Sequence, residues 1–273
     1  MSEGGLVVDE VTVAFGGLTA LDHVSLEVNQ GEVVGVIGPN GAGKTTLFNV
    51  ICGFVRPSSG RLEFAGRPLS RHHPHDLASR GIARTLQGVG LFPGLTVLDN
   101  VVAGATARAR AGLASSLLGL PRATGDEEQL RERARAILGE LQTEQFAARH
   151  PPSLPYPIQK RVALARALVN EPVLLLLDEP ASGLSEGEMG EFGQLVRQLR
   201  DRMSVLLVEH HMDLVMSVCD RLIVLDFGRV IATGTPDQVK ADPAVTRAYL
   251  GEDVSEIETP DLEQVAELPS ADA

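Results

Sequence analysis

The 273-residue sequence contains only two cysteines, Cys52 and Cys219, and each lies in an apolar stretch. Two cysteines cannot form a disulfide framework for a chain of this length, so we expect both to be buried, reduced thiols. Basic residues are not in excess either, since 24 Lys and Arg stand against 36 Asp and Glu, a formal charge of -12. Binding to a nucleic-acid backbone needs clustered Lys and Arg, so this balance argues against a nucleic-acid partner.

Long apolar runs are also missing. No window of about 18 residues is both apolar and free of charge, which excludes a predicted membrane-spanning helix. The start, MSEGG, lacks the charged and apolar regions of a secretory signal, so we expect a cytoplasmic chain. No internal repeat is evident. The hydrophobic fraction of 44% and charged fraction of 22% are those of an ordinary folded domain.

Buried strands alternate with helical stretches along most of the chain. The apolar runs VVGVI (33–37), VLLLL (173–177), VLLVE (205–209) and RLIVLD (221–226) have the composition of parallel strands covered on both faces. Helical patterns separate them, which predicts an α/β fold with a mostly parallel sheet.

Two further regions differ from this core. LVVDEVTVAF and HVSLEV, separated by GGLTALD, predict an N-terminal antiparallel β-element, and 57–68 predict a turn and an edge hairpin. From about 88 to 165, Ala, Arg and Leu dominate and one helical face is apolar, which predicts an inserted helical subdomain.

The histidine-rich segment and the end of the chain have simpler interpretations. HHPHDLASR is expected to open a short helix, and we expect its histidines, His72, His73 and His75, to lie in a solvated loop before that helix rather than in a metal site. From Glu252 onward there are eight acidic residues and no basic ones, so we expect 252–273 to be a frayed extension of a domain that ends near 251.

A glycine-rich turn follows the first apolar strand and precedes a helix. It matches G-x-x-x-x-G-K-[ST], the loop whose backbone N–H groups surround nucleotide phosphates. Lys44 is expected to reach the β- and γ-phosphates, and the Thr45 hydroxyl to ligate Mg²⁺. The predicted nucleotide-binding residues are Gly38, Asn40, Gly41, Ala42, Gly43, Lys44, Thr45 and Thr46.

Two carboxylates follow the VLLLL strand, where ligands bind in open parallel sheets. We expect Asp178 to hold the metal, and Glu179 to position or deprotonate the water that attacks the γ-phosphate. His210 follows another strand. Taken alone, His210 is either a contact to the γ-phosphate or an incidental loop residue.

Together these residues carry a family resemblance. GPNGAGKTT, Gln87 in RTLQGVGLF, LLLLDEP and VEH, in this order, resemble the nucleotide-binding subunits of ABC transporters, from about residue 6 to 251. Within that family, RTLQGVGLFPGLTVLDNV, EHHMDLVMSVCDRLIVLDFGRVIATGTPDQV and the ending RAYLGE look most like the ATPases of branched-chain amino acid uptake systems. Similar ATPases serve urea or other amides and lipopolysaccharide export.

The resemblance implies a P-loop ATPase fold, ATP and Mg²⁺ as ligands, and roles for three further residues. Phe15 matches the aromatic that stacks on adenine, His210 the switch histidine, and Gln87 the glutamine that senses Mg²⁺ and the γ-phosphate. It also implies a second ATPase subunit, membrane permease subunits and, indirectly, a solute-binding protein. The chain would then be a peripheral protein at the cytoplasmic face of the membrane.

Two positions depart from the family pattern. The signature, Leu-Ser-Gly-Gly-Gln or Leu-Ser-Tyr-Gly-Gln in similar proteins, corresponds to the segment Leu154, Pro155, Tyr156, Pro157, Ile158 and Gln159, in which Tyr156 and Gln159 fit. The two prolines remove a hydroxyl and two N–H groups that would grip the partner's nucleotide. Ser185 replaces the usual Asp or Asn. Because both changes lie on surfaces used across the dimer, we expect an asymmetric heterodimer.

Two other functions stay open at this point. The damaged signature is also compatible with a regulatory module that binds ATP with little turnover. A soluble ABC ATPase outside transport is a further alternative, although the sequence has no long coiled coil and only one P-loop.

Overall fold

A computed structural model describes residues 5–69, 72–85, 88–105 and 121–255. Ten strands are present in this part of the chain: β1 Leu6–Phe15, β2 Leu18–Val28, β3 Val33–Ile37, β4 Ser59–Phe64, β5 Arg67–Pro68, β6 Ile82–Arg84, β7 Leu174–Asp178, β8 Ser204–Val208, β9 Arg221–Asp226 and β10 Arg229–Gly234. The α-helices are α1 Lys44–Ile51, α2 Val97–Gly104, α3 Pro121–Glu140, α4 Tyr156–Leu168, α5 Glu186–Leu199, α6 Met212–Val218, α7 Pro236–Lys240 and α8 Pro243–Ser255.

The strands form two sheets. The N-terminal sheet is antiparallel, with strand order β2-β1-β4-β5, and the larger sheet has the order β10-β9-β3-β8-β7-β6. In the larger sheet β9, β3, β8, β7 and β6 are parallel, and only β10 pairs antiparallel with its neighbour. The predicted mostly parallel sheet and antiparallel N-terminal element are confirmed.

Both faces of the large sheet are covered, which explains its uninterrupted apolar strands. Along β7, Leu174 and Leu176 belong to a core shared with the antiparallel sheet and α1. Leu175 and Leu177 belong to a second core, shared with α2 to α6. The alternation places successive residues on opposite faces of the sheet.

Several local predictions were wrong in detail. The predicted GGLTALD connection is a tight turn at Gly16 and Gly17, and β2 already begins at Leu18. HHPHDLASR forms two short 3₁₀ helices of one turn each, Pro74–Asp76 and Ala78–Arg80, rather than one continuous helix. Short strand β6 was missed, because its three residues carry no periodic pattern.

The histidine-rich loop is also only partly solvated. His73 and His75 are exposed, but His72 is buried, with its ring nitrogens 2.5 Å from the Leu69 carbonyl oxygen and 2.9 Å from that of Ile51. His72 therefore ties this loop to the end of α1.

The thiols lie as expected. Cys52 and Cys219 are both buried and free. Burial raises the pKa of Cys52 to about 11 and raises that of Cys219 as well, so both stay protonated near neutral pH.

The region between β6 and β7 contains α2, α3 and α4. On the face predicted from α3, Ala134, Leu138 and Leu141 are buried, and Leu130 and Ile137 pack against the same core. The last helix ends at Ser255, and the rest of the predicted acidic extension lies outside the described residues. In the described part of the chain, no helix combines the length and apolar character needed to cross a membrane.

Candidate nucleotide-binding site

The loop between β3 and α1 requires glycine at two positions. A side chain on Gly38, at φ 149°, would meet the Leu225 carbonyl oxygen at 2.1 Å. Gly43, at φ 102°, directly precedes α1, and a side chain there would come within 2.7 Å of the Ala20 carbonyl. These close approaches hold the loop against neighbouring backbone.

The first turn of α1 is shaped for an anion. No side chain caps it, so its orphan N–H groups and partial positive charge face the loop. The Lys44 ammonium lies over the same loop, where it donates to the carbonyls of Gly38 and Pro39 at 2.6 and 2.7 Å. The loop therefore concentrates positive charge at one end of the large sheet.

A cleft of about 410 Å³ opens on this loop. It brings together nine predicted site residues: Phe15, Asn40, Gly41, Ala42, Gly43, Lys44, Thr45, Thr46 and Glu179. Sequence reasoning missed other parts of its wall, notably Phe227 in the turn between β9 and β10. Phe227 is 86% exposed. An aromatic residue in a turn is unusual enough that the sequence could have indicated a binding role for Phe227.

Asp178 ends β7 and is buried outside the cleft lining. Its Oδ2 accepts a hydrogen bond from Nη2 of Arg84 on β6, at 2.8 Å. Arg84 is a positioning group that the sequence did not indicate, because 94 residues separate it from Asp178. The ion pair orients the carboxylate and leaves Oδ1 outside the pair.

Glu179 occupies a left-handed conformation, with φ 46°. Non-glycine residues in this region are strained by about 1–3 kcal/mol, and such residues concentrate at functional sites. The Glu179 N–H donates to the Val208 carbonyl at 2.9 Å, which fixes the turn against β8. The carboxylate side chain lines the cleft.

His210 comes from the neighbouring strand. Asp178 pairs with Val208 in the β7–β8 register, so His210 follows two residues later at the same end of the sheet. Its side chain is half exposed and does not line the cleft. Gln87 lies outside the described residues.

Glu209 is a buried carboxylate that sequence reasoning passed over. Burial raises its pKa, but backbone N–H groups of His211, Ala181 and His210 and the His211 ring outweigh burial and lower the pKa overall. The sequence could have indicated Glu209 as a site residue, because it is an acidic residue at the end of an apolar strand.

The signature segment lies at the start of α4 and does not line the cleft. The helix begins at Tyr156, with Pro155 immediately before it and Pro157 as its second residue. Proline is tolerated there because these N–H groups have no intrahelical partner, yet it deletes two potential anion donors. Counted from Leu154, the fifth position of the motif is Ile158, so the match of Gln159 to the motif glutamine was wrong by one residue. Gln159 Nε2 donates to the Leu154 carbonyl at 2.9 Å.

Ser185 likewise lies outside the cleft. It precedes α5 and forms a capping box with Glu188, whose Oε2 accepts from the Ser185 backbone N–H at 2.8 Å and from its Oγ at 2.7 Å. Its local role is therefore to begin a helix.

A phosphate loop after β3, a strained Glu179 and a buried Asp178 at the end of β7 define an α/β P-loop nucleoside triphosphatase. Comparison with known proteins narrows this class. The model of the ABC transporter family matches residues 21–182, and that of the branched-chain amino acid ATP-binding cassette transporter matches 229–255. The chain belongs to the ABC transporter family, and it is an ATP-binding, ATP-hydrolysing subunit of that family.

Relatives support this assignment over nearly the whole chain. The high-affinity branched-chain amino acid transport ATP-binding protein LivG of Salmonella typhimurium is 39% identical over 92% of this chain and 100% of its own length. The lipopolysaccharide export ATP-binding protein LptB of Haemophilus influenzae is 34% identical over 90% of this chain and 97% of its own. A crystal structure of the ADP conformation of an ABC transporter cassette superposes with a TM-score of 0.79 at 32% identity, covering 91% of this chain and 99% of the other.

Proposed function

We propose that this chain hydrolyses ATP to power an importer of branched-chain amino acids or a related small polar solute. The observation that carries the proposal is the cleft, which Lys44, Thr45, Glu179 and Phe15 all line. The name of LivG and the C-terminal family match favour this solute class.

The donor set suits Mg²⁺. The Thr45 hydroxyl lines the cleft, and Asp178 supplies an oriented carboxylate at the end of β7; such hard oxygen donors are those that Mg²⁺ prefers. We assign Thr45, Asp178 and Gln87 to the metal. Bound Mg²⁺ would neutralise charge that develops on the phosphates.

The remaining steps belong to this chain's own groups. Lys44 and the loop N–H groups bind the phosphates, and Phe15 covers the base. Glu179 accepts a proton from the attacking water, and His210 orients that water and the γ-phosphate. Preorganised donors in a closed site supply most of the stabilisation of the transition state.

Closure of the site needs a second ATPase subunit. Pro155 and Pro157 leave the start of α4 with fewer donors for a nucleotide held by a partner. We therefore propose an asymmetric pair, in which the cleft of this chain meets an intact signature from a different subunit.

We propose that the membrane subunits dock in a groove separate from the nucleotide cleft. An opening of about 500 Å³ runs between β6, α2 and α4, and the exposed rings of Phe54 and Phe92 lie on its wall. Exposed aromatic side chains of this kind mark interaction surfaces. Docking there places the chain at the cytoplasmic face of the membrane, with a solute-binding protein acting through the permeases.

The proposed chemistry is tested by Glu179→Gln, measured in the complex purified through a tag on this chain. We expect ATP binding to persist and turnover to fall on the order of 10²-fold or more, because an amide cannot accept the proton. Glu128→Gln, at an exposed position on α3, is the matched control and should leave both quantities unchanged. Undiminished turnover in Glu179→Gln would remove Glu179 from this role.

The same measurement separates the second candidate, a regulatory ATP-binding module. The two prolines at the start of α4 favour it. In that case the wild-type cleft would bind ATP and show negligible turnover in the complete complex.

A further inference from the structure

A buried cation and a buried anion flank the turn that follows β7. Lys160 on α4 and Glu209 after β8 are both buried, and neither lines the nucleotide cleft. Burying charged groups is costly unless each is paired and hydrogen-bonded. Their contacts therefore indicate what these two residues hold in place.

Lys160 holds the carbonyls of the turn. Its ammonium donates to the backbone oxygen of Glu179 at 3.3 Å and to that of Pro180 at 3.0 Å. Burial lowers the pKa of Lys160, and the charges of Glu209 and Glu179 act in the opposite direction. Lys160 is thus hydrogen-bonded to the backbone of Glu179, the residue that we propose as the proton acceptor.

Glu209 holds the opposite side of the turn. Its Oε1 accepts from the Ala181 N–H at 2.8 Å. Its Oε2 accepts from the N–H groups of His210 and His211 at 2.7 and 3.1 Å, and Nδ1 of His211 lies 3.0 Å from it. One carboxylate therefore joins the turn after β7 to the backbone of the switch histidine.

This arrangement argues against a metal at the cluster of Glu209, His210 and His211, whose potential ligand atoms lie within 4.8 Å of one another. A carboxylate offers about four acceptor positions. Four hydrogen-bond contacts already occupy those of Glu209. Its role is to organise the backbone.

The start of α4 makes a further contact with the same region. The Lys160 ammonium lies 5.4 Å from the centre of the Tyr156 ring. A side chain at Gly183 would come within 2.9 Å of Cε1 of that ring, so Tyr156 packs closely on the backbone of residue 183. The signature helix is thus attached to 179–183 within its own chain.

We infer that Lys160 and Glu209 are positioning residues for hydrolysis, which hold Glu179 and His210 in register with each other and with the signature helix. We call this pair the Lys160–Glu209 clamp. The inference rests on the roles proposed above for Glu179 and His210. A displacement of α4 would reach Glu179 directly through the Lys160 side chain.

The clamp is tested in the complex purified through a tag on this chain. Lys160→Met keeps most of the length of the side chain and removes its donors, whereas Lys160→Arg restores a cation. Glu209→Gln keeps the shape, but its NH₂ group must face either Ala181 or the histidine N–H groups. Lys240→Met and Glu128→Gln make the same chemical changes at exposed positions.

We expect Lys160→Met and Glu209→Gln to lower kcat about 10- to 100-fold, since small displacements of reacting groups have effects of this order. Binding of a fluorescent ATP analogue should change less than about threefold, because neither residue lines the cleft. Lys160→Arg should recover most of the turnover. Amide exchange should accelerate at 179–183 and 208–211 in the two damaged variants, and the controls should match wild type.

Wild-type kcat in both Lys160→Met and Glu209→Gln would overturn the clamp. A parallel loss of ATP binding and turnover in Lys160→Met, without rescue by arginine, would also overturn it and indicate a merely structural role. Should Glu209→Gln fail to fold, the comparison of Lys160→Met with Lys160→Arg still decides. Failure of the proposed function is separate, because it requires retained turnover in Glu179→Gln.

Discussion

In the phosphate loop, two glycines with positive φ angles differ in how closely neighbouring backbone approaches them. Gly38 and Gly41 both have positive φ angles, 149° and 76°, but their surroundings differ. A side chain on Gly38 would collide with the backbone of Leu225 on β9, whereas one on Gly41 would meet nothing within 4 Å. Of these two glycines, only Gly38 therefore lies against a neighbouring strand.

Gly38→Ala should consequently cost more than Gly41→Ala. We expect Gly41→Ala to lose about 1–2 kcal/mol of unfolding free energy from left-handed strain alone. Gly38→Ala should lose about 1–3 kcal/mol more, because β9 or the loop must move. Urea unfolding of the full chain measures both. Equal losses would show that the contact with Leu225 does not constrain the loop.

The two cysteines, Cys52 and Cys219, are buried, as the sequence predicted. Their thiols have raised pKa values because the sheet and helices exclude water from them. Apolar neighbours in the sequence predicted the burial.

At the scale of the element, the Asn100 side chain on α2 ties this helix to the segment before it. Asn100 is fully buried, and its Oδ1 accepts from the Phe92 N–H at 2.8 Å. Its Nδ2 donates to the carbonyls of Phe92 and Thr96 at 3.0 and 2.9 Å. These bonds place Phe92 on the wall of the groove assigned to the membrane subunits.

Asn100→Ala should loosen that segment. We expect a loss of about 1–3 kcal/mol of unfolding free energy, because buried backbone groups lose their partners. Faster amide exchange at 92–96 and weaker co-purification of membrane subunits should accompany it. Thr96→Ala, which removes only the cap of α2 at a cost of about 1 kcal/mol, is the comparison. Unchanged co-purification in Asn100→Ala would count against the groove as the docking surface.

For the whole molecule, two surfaces matter for hydrolysis in a pair of subunits: the nucleotide cleft and the start of α4. Only the cleft has the groups that its role requires. The cleft has its phosphate loop and Glu179, whereas Pro155 and Pro157 leave the start of α4 with fewer N–H donors. An isolated chain pairing with itself would form two sites with poor signatures. A different partner with an intact signature would supply the missing donors to the nucleotide bound in this chain's cleft.

Restoring the donors at positions 155 and 157 should therefore raise turnover of the isolated chain. In Pro155→Ser with Pro157→Gly, the recovered hydroxyl and N–H groups should increase ATPase activity about tenfold or more, since hydrogen bonds to a charged group contribute about 1.5–3 kcal/mol each. Pro152→Ser, at an exposed position just before α4, is the control. Turnover measured against protein concentration tests the pair. Equal activity of wild type and the restored variant would contradict the asymmetric heterodimer.

Much of the sheet followed from pattern alone. Predicted strands 33–37 and 221–226 agree with β3 and β9, and β7 and β8 are displaced by one residue from 173–177 and 205–209. Those strands are buried on both faces, so their composition is distinctive. The three residues of β6 are too few to show a pattern, and they become a strand by pairing with β7.

The sequence by itself determined the phosphate loop, the carboxylates after β7 and the two prolines, because spacing and residue chemistry are local properties. Only the tertiary structure decided which charges hold them. Arg84 reaches Asp178, Lys160 reaches the backbone of Glu179, and Glu209 reaches Ala181, across 94, 19 and 28 residues of chain. The parallel sheet brings the ends of β6, β7 and β8 to one edge, and no local pattern encodes that proximity.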